Sequence, residues 1–341
     1  YFAARGQVDS VRKLADYVIQ RHYPEVSEDR HCYLSLLRRV VQRQAGLIAR
    51  WMLVGFIHGV MNTDNMAVSG ETIDYGPCAF MDIYDPKTVF RSIDKMGRYA
   101  YCNQPVITKW NLARFAECLI PLVDKDQDKA VKIATETINS FEKKYEEKWI
   151  NMMRDKLGLF GIENKDKFLI LDLLTWMHEK KADYTNTFCH LMNLTPKKNT
   201  LFDDNDLMNW KKRWKERLSK NNESSNKYLE LMKNNNPLII PRNHKVEEAL
   251  EAAEKNDLKP LTQLIEILKD PYTQKNLNET ILIISEIYLT SRDGKDQNFE
   301  FSIKKINLNN IVDNSGNVIT SSNFFIENFI IQELKIYTFL K

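Results

Sequence analysis

Several things are scarce in this sequence, and each scarcity removes a class of protein. No run reaches the roughly 18 consecutive apolar residues of a membrane-spanning helix, and Tyr1-Phe-Ala-Ala-Arg-Gly6 opens neither a signal peptide nor a transit peptide. No membrane partner is expected. Net charge is only +3, from 49 basic and 46 acidic residues spread evenly along the chain, which argues against nucleic acid as a partner. The five cysteines, Cys32, Cys78, Cys102, Cys118 and Cys189, lack metal-ligand spacing. An odd, dispersed set fits free thiols in a reducing compartment, the cytoplasm, or the mitochondrion if the source is eukaryotic. A glycine-rich loop followed by a strand lysine is also missing. What is present, 43% apolar and 28% charged residues over 341 positions, describes a soluble globular chain able to bury one large core or two moderate ones.

The most informative stretch is His58-Gly-Val-Met-Asn-Thr-Asp-Asn-Met66 with Ala67-Val-Ser-Gly-Glu-Thr-Ile-Asp-Tyr-Gly-Pro77, where Asn62, Asp64, Asn65 and Asp74 stand beside apolar residues. Ser69-Gly70 between β-prone runs reads as a hairpin turn. Taken as a two-residue loop, it sets Met66 opposite Ile73 and Asn65 opposite Asp74, with Cβ atoms about 5 Å apart. An amide oxygen and a carboxylate so placed suit Mg²⁺, with Mn²⁺ as an alternative ion. Two protein ligands leave the rest of the shell to water and phosphate, so a nucleotide is the expected companion. Protein-kinase folds hold metal with an Asn closing the catalytic loop and an Asp opening a DFG triplet. Here the triplet is Asp74-Tyr75-Gly76. Laid on H-R-D-x-x-x-x-N, the sequence matches at His58 and Asn65 but places Val60 where the base should be. An aliphatic side chain accepts no proton, which speaks against ordinary phosphoryl transfer. Asp64 is the nearest replacement base.

These residues resemble the selenoprotein O family, pseudokinase-fold enzymes that transfer AMP from ATP to protein hydroxyls. The likeness continues through Gly97-Arg-Tyr-Ala-Tyr101, Asn103-Gln-Pro105, Trp110-Asn-Leu-Ala-Arg114, Asn236-Pro237, Ile240-Pro-Arg-Asn-His244 and Val246-Glu-Glu-Ala-Leu250, from Tyr1 to about Tyr272. The resemblance implies a nucleotide bound in reverse of the kinase orientation, so that the α-phosphate is attacked. It makes Asp64 the proton acceptor and Asn65 and Asp74 the metal ligands, with Asp74 also against ATP. In such enzymes the N-lobe, with its glycine-rich loop, lysine and phosphate-contacting arginines, precedes the point matching Tyr1. The chain is therefore expected to be a C-lobe fragment, inactive in isolation. The family's C-terminal cysteine or selenocysteine is not matched.

Along the chain, Val8 to Arg21 repeats Val8, Val11, Leu14, Ala15 and Val18 at helical spacing, and Tyr33 to Leu53 reads as a long apolar helix leading into the loop. Its arginines, Arg38, Arg39, Arg43 and Arg50, are read as a solvated or ion-paired face. Residues from Pro77 to Gly97 occupy the activation-loop slot, and Cys78 is read as a buried thiol before a redox switch. Trp110 to Leu122 reads as a buried helix that Pro121 ends or kinks. Ile138, Phe141, Tyr145, Trp149 and Met152 form a core stripe. Phe168 to Met177 is another apolar run, and neither His178 nor His190 has zinc-ligand spacing. In Leu207 to Leu218, Trp210 and Trp214 point inward and the basic residues outward. Asn221 to Lys227 is a linker, Arg242-Asn-His244 a structural motif, and Val246 to Ala253 and Leu261 to Leu268 are helices. Beyond Thr273 the pattern turns β-prone and the likeness stops.

The expected fold is thus mainly α: a kinase-like C-lobe with a small β-hairpin at the metal site and a helical C-terminal extension over 1–272, the N-lobe absent, and a divergent tail over 273–341. The expected function is Mg²⁺-dependent AMP transfer from ATP to Ser, Thr or Tyr hydroxyls of proteins. A non-catalytic pseudokinase scaffold and a kinase-type phosphotransferase stand as alternatives.

Overall fold

Helical spacing dictates most of what the computed structural model shows. It describes residues 1–273 except 77, 195–199 and 222. The strand-prone tail therefore lies outside the described residues, apart from Thr273. The described residues fall into two units, which are taken separately: Tyr1–Arg50, Val60–Ile73 and Cys102–Trp149 form the first, and Trp51–Gly59, Asp74–Tyr101 and the residues from Ile150 form the second.

In the first unit, α1 (Val8–His22) buries Val11, Ala15 and Ile19, a strict four-residue row. Leu14, expected on the inward stripe, lies beside that row and is 55% exposed. The long helix α2 (Cys32–Val54) extends one residue beyond each expected end. α3 (Gln104–Val123) starts with Pro105 in its first turn, where a missing N–H costs nothing, and runs two residues past Pro121. It begins six residues before Trp110, whose ring is half exposed rather than buried. α4 (Gln127–Lys156) completes the set. One core joins them: Ala15, Ile19 and Tyr23, Leu36 to Ala45 of α2, Leu112, Ala116 and Leu119 of α3, and Ala130, Ala134, Ile138 and Phe141 of α4. Alanines at 45, 116, 130 and 134 let the helices approach closely.

In the second unit, β1 (Phe56–Ile57) pairs antiparallel with β2 (Ala79–Phe80), Phe56 opposite Phe80 and Ile57 opposite Ala79. This sheet was not anticipated, because its strands are short and far apart in sequence. Gly55 breaks α2 with φ 73°, and an added Cβ there would meet the Tyr184 ring at 3.2 Å. Tyr184 Oη donates to the Met52 and Leu53 carbonyls at 3.1 Å each, satisfying acceptors that the helix end leaves open. Six helices follow: α5 (Asp166–Glu179), α6 (Tyr184–Leu191), α7 (Asn205–Ser219), α8 (Ser225–Asn235), α9 (Asn243–Glu254) and α10 (Lys259–Leu268).

Trp210 and Trp214 point inward as expected, donating to the Leu169 and Leu157 carbonyls at 2.8 and 2.9 Å. Arg217 departs from the outward basic face: it is buried and pairs with Asp166, which also binds Arg154. The expected linker at 221–227 is shorter in fact. Asn221 is buried and donates to the Gly158 carbonyl at 3.0 Å, and α8 already begins at Ser225. Arg242 is a structural residue, fully buried between Asp82 and Asp183. Although burial opposes its charge, those two carboxylates hold the guanidinium ionised and raise its pKa. Among the described residues no helix is long and apolar enough to cross a membrane.

Lys156 is buried with its Nζ 4.1 Å from the Phe188 ring centre and 5.4 Å from that of Tyr184. Burial pulls its pKa down to about 7. Between about pH 7 and the unfolded value of about 10.4, the unfolded chain binds a proton there and the folded one does not. Stability should therefore rise with pH across that window. In urea denaturation at a series of pH values, the wild type should gain on Lys156→Met from pH 7 upward, and parallel profiles would contradict this. Arg242→Leu strands buried Asp183 and is expected to cost about 3–5 kcal/mol in the same assay. A loss under about 1 kcal/mol would show the pair to be dispensable.

Candidate active site

Between Val60 and Gly70 the first unit carries a loop with little regular structure, whose backbone is held by side chains from its own helices. Asn111 Nδ2 donates to the Met61 carbonyl at 3.0 Å and Gln44 Nε2 to that of Ala67 at 2.6 Å. Tyr23 Oη donates to the Val68 carbonyl, and Arg43 to that of Ser69 at 3.2 Å. Arg43 also donates to the His22 carbonyl at 3.0 Å and lies 4.2 Å over the Tyr23 ring. Of the four arginines read as a surface face, it has a definite structural task. Arg39 is the ion-paired kind, 3.6 Å from Glu25. A net contribution of about 1 kcal/mol per such bond makes the set substantial for one loop.

The hairpin expected here is reduced and shifted. A single antiparallel bridge pairs Met66 with Thr72, not with Ile73. The turn is closed by Gly70 N–H donating to the Ala67 carbonyl at 3.0 Å, so Ser69-Gly70 is not a two-residue loop. The reason is long-range: the carbonyls of residues 67, 68 and 69 are taken by Gln44, Tyr23 and Arg43. The expected opposition of Asn65 to Asp74 does not follow from the observed register.

Asp64 and Asn65 come together on one short 3-10 turn, Thr63–Asn65. Asp64 is exposed and Asn65 half-buried. Asn65 Nδ2 donates to the Val60 carbonyl at 3.0 Å, which fixes the amide and assigns its oxygen as the end that can serve a cation. Val60, in the kinase-base position, is buried and contributes that carbonyl.

Asp74 is the residue with which the chain returns to the second unit. Its φ is +53°, a left-handed conformation that is uncommon outside glycine and that clusters at functional positions. Tyr75 beside it is buried. His58, the other kinase-pattern match, is fully buried with its ring 5.3 Å from that of Trp51 and edge-on to Phe56. Burial pushes the Cys78 thiol up to about 12, with the Asp74 charge adding to it, so the thiolate that redox chemistry needs is disfavoured. His190 stacks on Phe202 at 4.0 Å and meets Lys211 Nζ at 2.6 Å, while His178 faces Asp85 at 3.8 Å. Among the described residues no group of three or more His, Cys, Asp or Glu gathers as a metal cage.

Sequence reasoning missed Tyr23, Gln44 and Asn111. A signal was there: Gln44 interrupts the apolar row Val40, Val41, Ala45, Ile48, and Asn111 is a polar residue inside an apolar helix. Buried amides of this kind must find partners.

Fold and loop together define a class: a mainly helical protein that presents an exposed carboxylate and an oriented amide from a braced loop. The family described as protein adenylyltransferase SelO matches residues 1–269, ending three residues before the limit expected at about Tyr272. A protein nucleotidyltransferase YdiU of Pelagibacter ubique (strain HTCC1062) is 55% identical over 276 residues, covering 81% of this chain and 57% of the relative. The proteins of the same name from Shouchella clausii (strain KSM-K16) and Bacillus cereus (strain AH187) are 52% and 55% identical over 287 and 273 residues, covering 84% and 80% of this chain and 59% and 56% of their own lengths. The chain belongs to the SelO family. It spans a little over half the length of the curated relatives it matches.

Gly70 tests the bracing. Its φ is +75° and an added Cβ would sit 2.7 Å from Arg43 Cβ, whereas at Gly161, φ +73°, an added Cβ meets nothing within 4 Å. Gly161→Ala should cost only the left-handed penalty, about 1–2 kcal/mol. Gly70→Ala should cost about 1–3 kcal/mol more through the clash, read by chemical denaturation. Equal losses would show that the loop moves freely against α2.

Proposed function

We propose that a protein carrying this chain transfers AMP from ATP to hydroxyl side chains of proteins, on a kinase-like C-lobe whose metal site is formed by Asn65 and Asp74. Membership of a family described as protein adenylyltransferase is the observation that carries this reading. The printed names of the relatives, protein nucleotidyltransferase, agree with it.

Asn65 and Asp74 offer hard oxygen donors of the kind Mg²⁺ takes, and an amide plus a carboxylate leave most of its octahedral shell to phosphate and water. When bound, the ion would neutralise charge building on the phosphates. Asp64, exposed and next to Asn65 on the same turn, accepts the proton of the incoming Ser, Thr or Tyr hydroxyl. The hydroxyl oxygen forms a bond to the α-phosphorus, the α–β anhydride bond breaks, and pyrophosphate carries away the electron pair. Val60 supports this assignment against a kinase reaction, since the position that holds the kinase base is buried and aliphatic. Asp74 owes its placement to a left-handed backbone, and that strain is consistent with a residue held for a ligand.

The test uses residues 1–269 of this chain grafted over the matching segment of the full-length Pelagibacter relative, with ATP labelled at either the α or the γ phosphate. Protein-bound α label is the expected result. Protein-bound γ label would make the enzyme a kinase, and neither label would make the chain a scaffold. In the same graft, Asp74→Ala should abolish transfer. Asp64→Asn should lower it about 10²–10⁴-fold with ATP binding kept. Undiminished transfer in Asp64→Asn would remove the base assignment alone.

A further inference from the structure

Residues 85–101, in the second unit, form a loop that closes on itself. Across its base Tyr101 N–H donates to the Thr88 carbonyl at 3.0 Å, and Phe90, Ala100 and Tyr101 are buried there. Beyond that base the chain turns twice: Asp94 N–H donates to the Arg91 carbonyl at 3.0 Å, and Gly97 N–H to the Asp94 carbonyl at 3.1 Å. Both carboxylate oxygens of Asp94 accept backbone N–H groups, from Arg98 and Tyr99, at 2.8 Å each. Bonds to the backbone thus shape the tip without using its outward side chains.

Two large apolar side chains stand on that tip. Met96 is 92% exposed and Ile93 65%, three positions apart on one braced turn. What surrounds them carries one sign of charge. Lys87, Lys95 and Arg98 are exposed and Arg91 is half-buried. Lys87, Arg91 and Lys95 have no ion-pair partner among the described residues. The acids of the loop are engaged elsewhere: Asp94 is turned onto backbone, and Asp85 accepts from Lys87 N–H at 2.8 Å and faces His178 Nδ1 at 3.8 Å. Methionine among arginines is a composition that protein interfaces favour, and its flexible thioether adapts to partners of varied shape.

We propose that the turn over 91–98 docks an acidic polypeptide segment. One apolar side chain of the segment packs on Met96 and Ile93, and flanking Asp or Glu carboxylates meet Arg91, Lys95 and Arg98. Charge complementarity selects this occupant, since a neutral segment leaves the cations unmatched and a basic one is repelled. An anionic membrane surface shares the charge but needs more apolar area to enter, and residues 91–98 include no Trp, Phe or Leu. The docking surface is independent of adenylyl transfer and does not rest on it.

The test presents the full chain to an array of heptapeptides that carry Leu, Met or Phe between Asp and Glu residues, each beside its Asn and Gln counterpart. Retention on the acidic peptides at least about tenfold above the amide ones is expected, which is what two exposed ion pairs supply. Salt at about 1 M should erase most of that difference. Met96→Ser should weaken retention at least about fivefold, and Lys95→Glu should remove most of the preference for acid. Both side chains are exposed, so neither variant should move the denaturation curve. Equal retention of acidic and amide peptides, no retention of either, or undiminished retention in Met96→Ser overturns the proposal. Binding to phosphatidylserine vesicles without binding to any acidic peptide overturns it in favour of a membrane contact. In the full-length graft, Met96 should be oxidised by hydrogen peroxide well before buried Met153. Equal protection of the two would show the tip to be covered by the rest of the protein, and would overturn the proposal as well.

Discussion

Five backbone carbonyls between Val60 and Ser69 are each taken by a side-chain donor, and the course of the loop that carries Asp64 and Asn65 depends on that. Asn65 holds Val60, Asn111 holds Met61, Gln44 holds Ala67, Tyr23 holds Val68 and Arg43 holds Ser69. A loop of ten residues with no ladder of its own would otherwise leave its carbonyls to water and its side chains to wander. Asn65 stands on the loop itself and the other four donors on α2, on α3 and just after α1, so the helical core holds the loop on both sides of Asp64 and Asn65. Uncharged donors dominate, and they hold a loop without competing for the charge that a metal or phosphate would feel.

The second unit solves a different problem by different means. Charges are taken inside and matched there: Arg242 with Asp82 and Asp183, and Arg217 and Arg154 with Asp166. Such pairs contribute little net stability but make any other arrangement expensive, because each partner alone would be a buried charge. Lys156 is buried against aromatic faces with no salt-bridge partner among the described residues, and burial makes it give up its proton more easily.

Much of this was legible in the sequence wherever a local period carries the information. α2 was readable to within a residue at each end because a 23-residue helix with an apolar stripe has no competing pattern. Trp210 and Trp214 were readable for the same reason. The register of the loop was not. Ser69-Gly70 has turn chemistry, but the chain there is governed by donors 23 and 45 positions away, at Gln44 and Tyr23, which no local window contains. β1 and β2 escaped because two-residue strands leave no alternation to read. Arg217 escaped because its charge argues for solvent while its partner Asp166 lies 51 residues earlier. Of the candidate site, the identities of Asp64, Asn65 and Asp74 came from motif and resemblance. The structure adds the shared turn of the first two, the orientation of the Asn65 amide and the left-handed backbone of Asp74.

We propose that Asn65 and Asp74 hold one divalent ion beside ATP. Paramagnetic Mn²⁺ tests it without any turnover. In the grafted protein with ATP present, the account predicts NMR line broadening centred on Asp64 and Asn65 and on Asp74 to Gly76, abolished by Asp74→Ala. Broadening that spares both segments, or that survives Asp74→Ala unchanged, would contradict it.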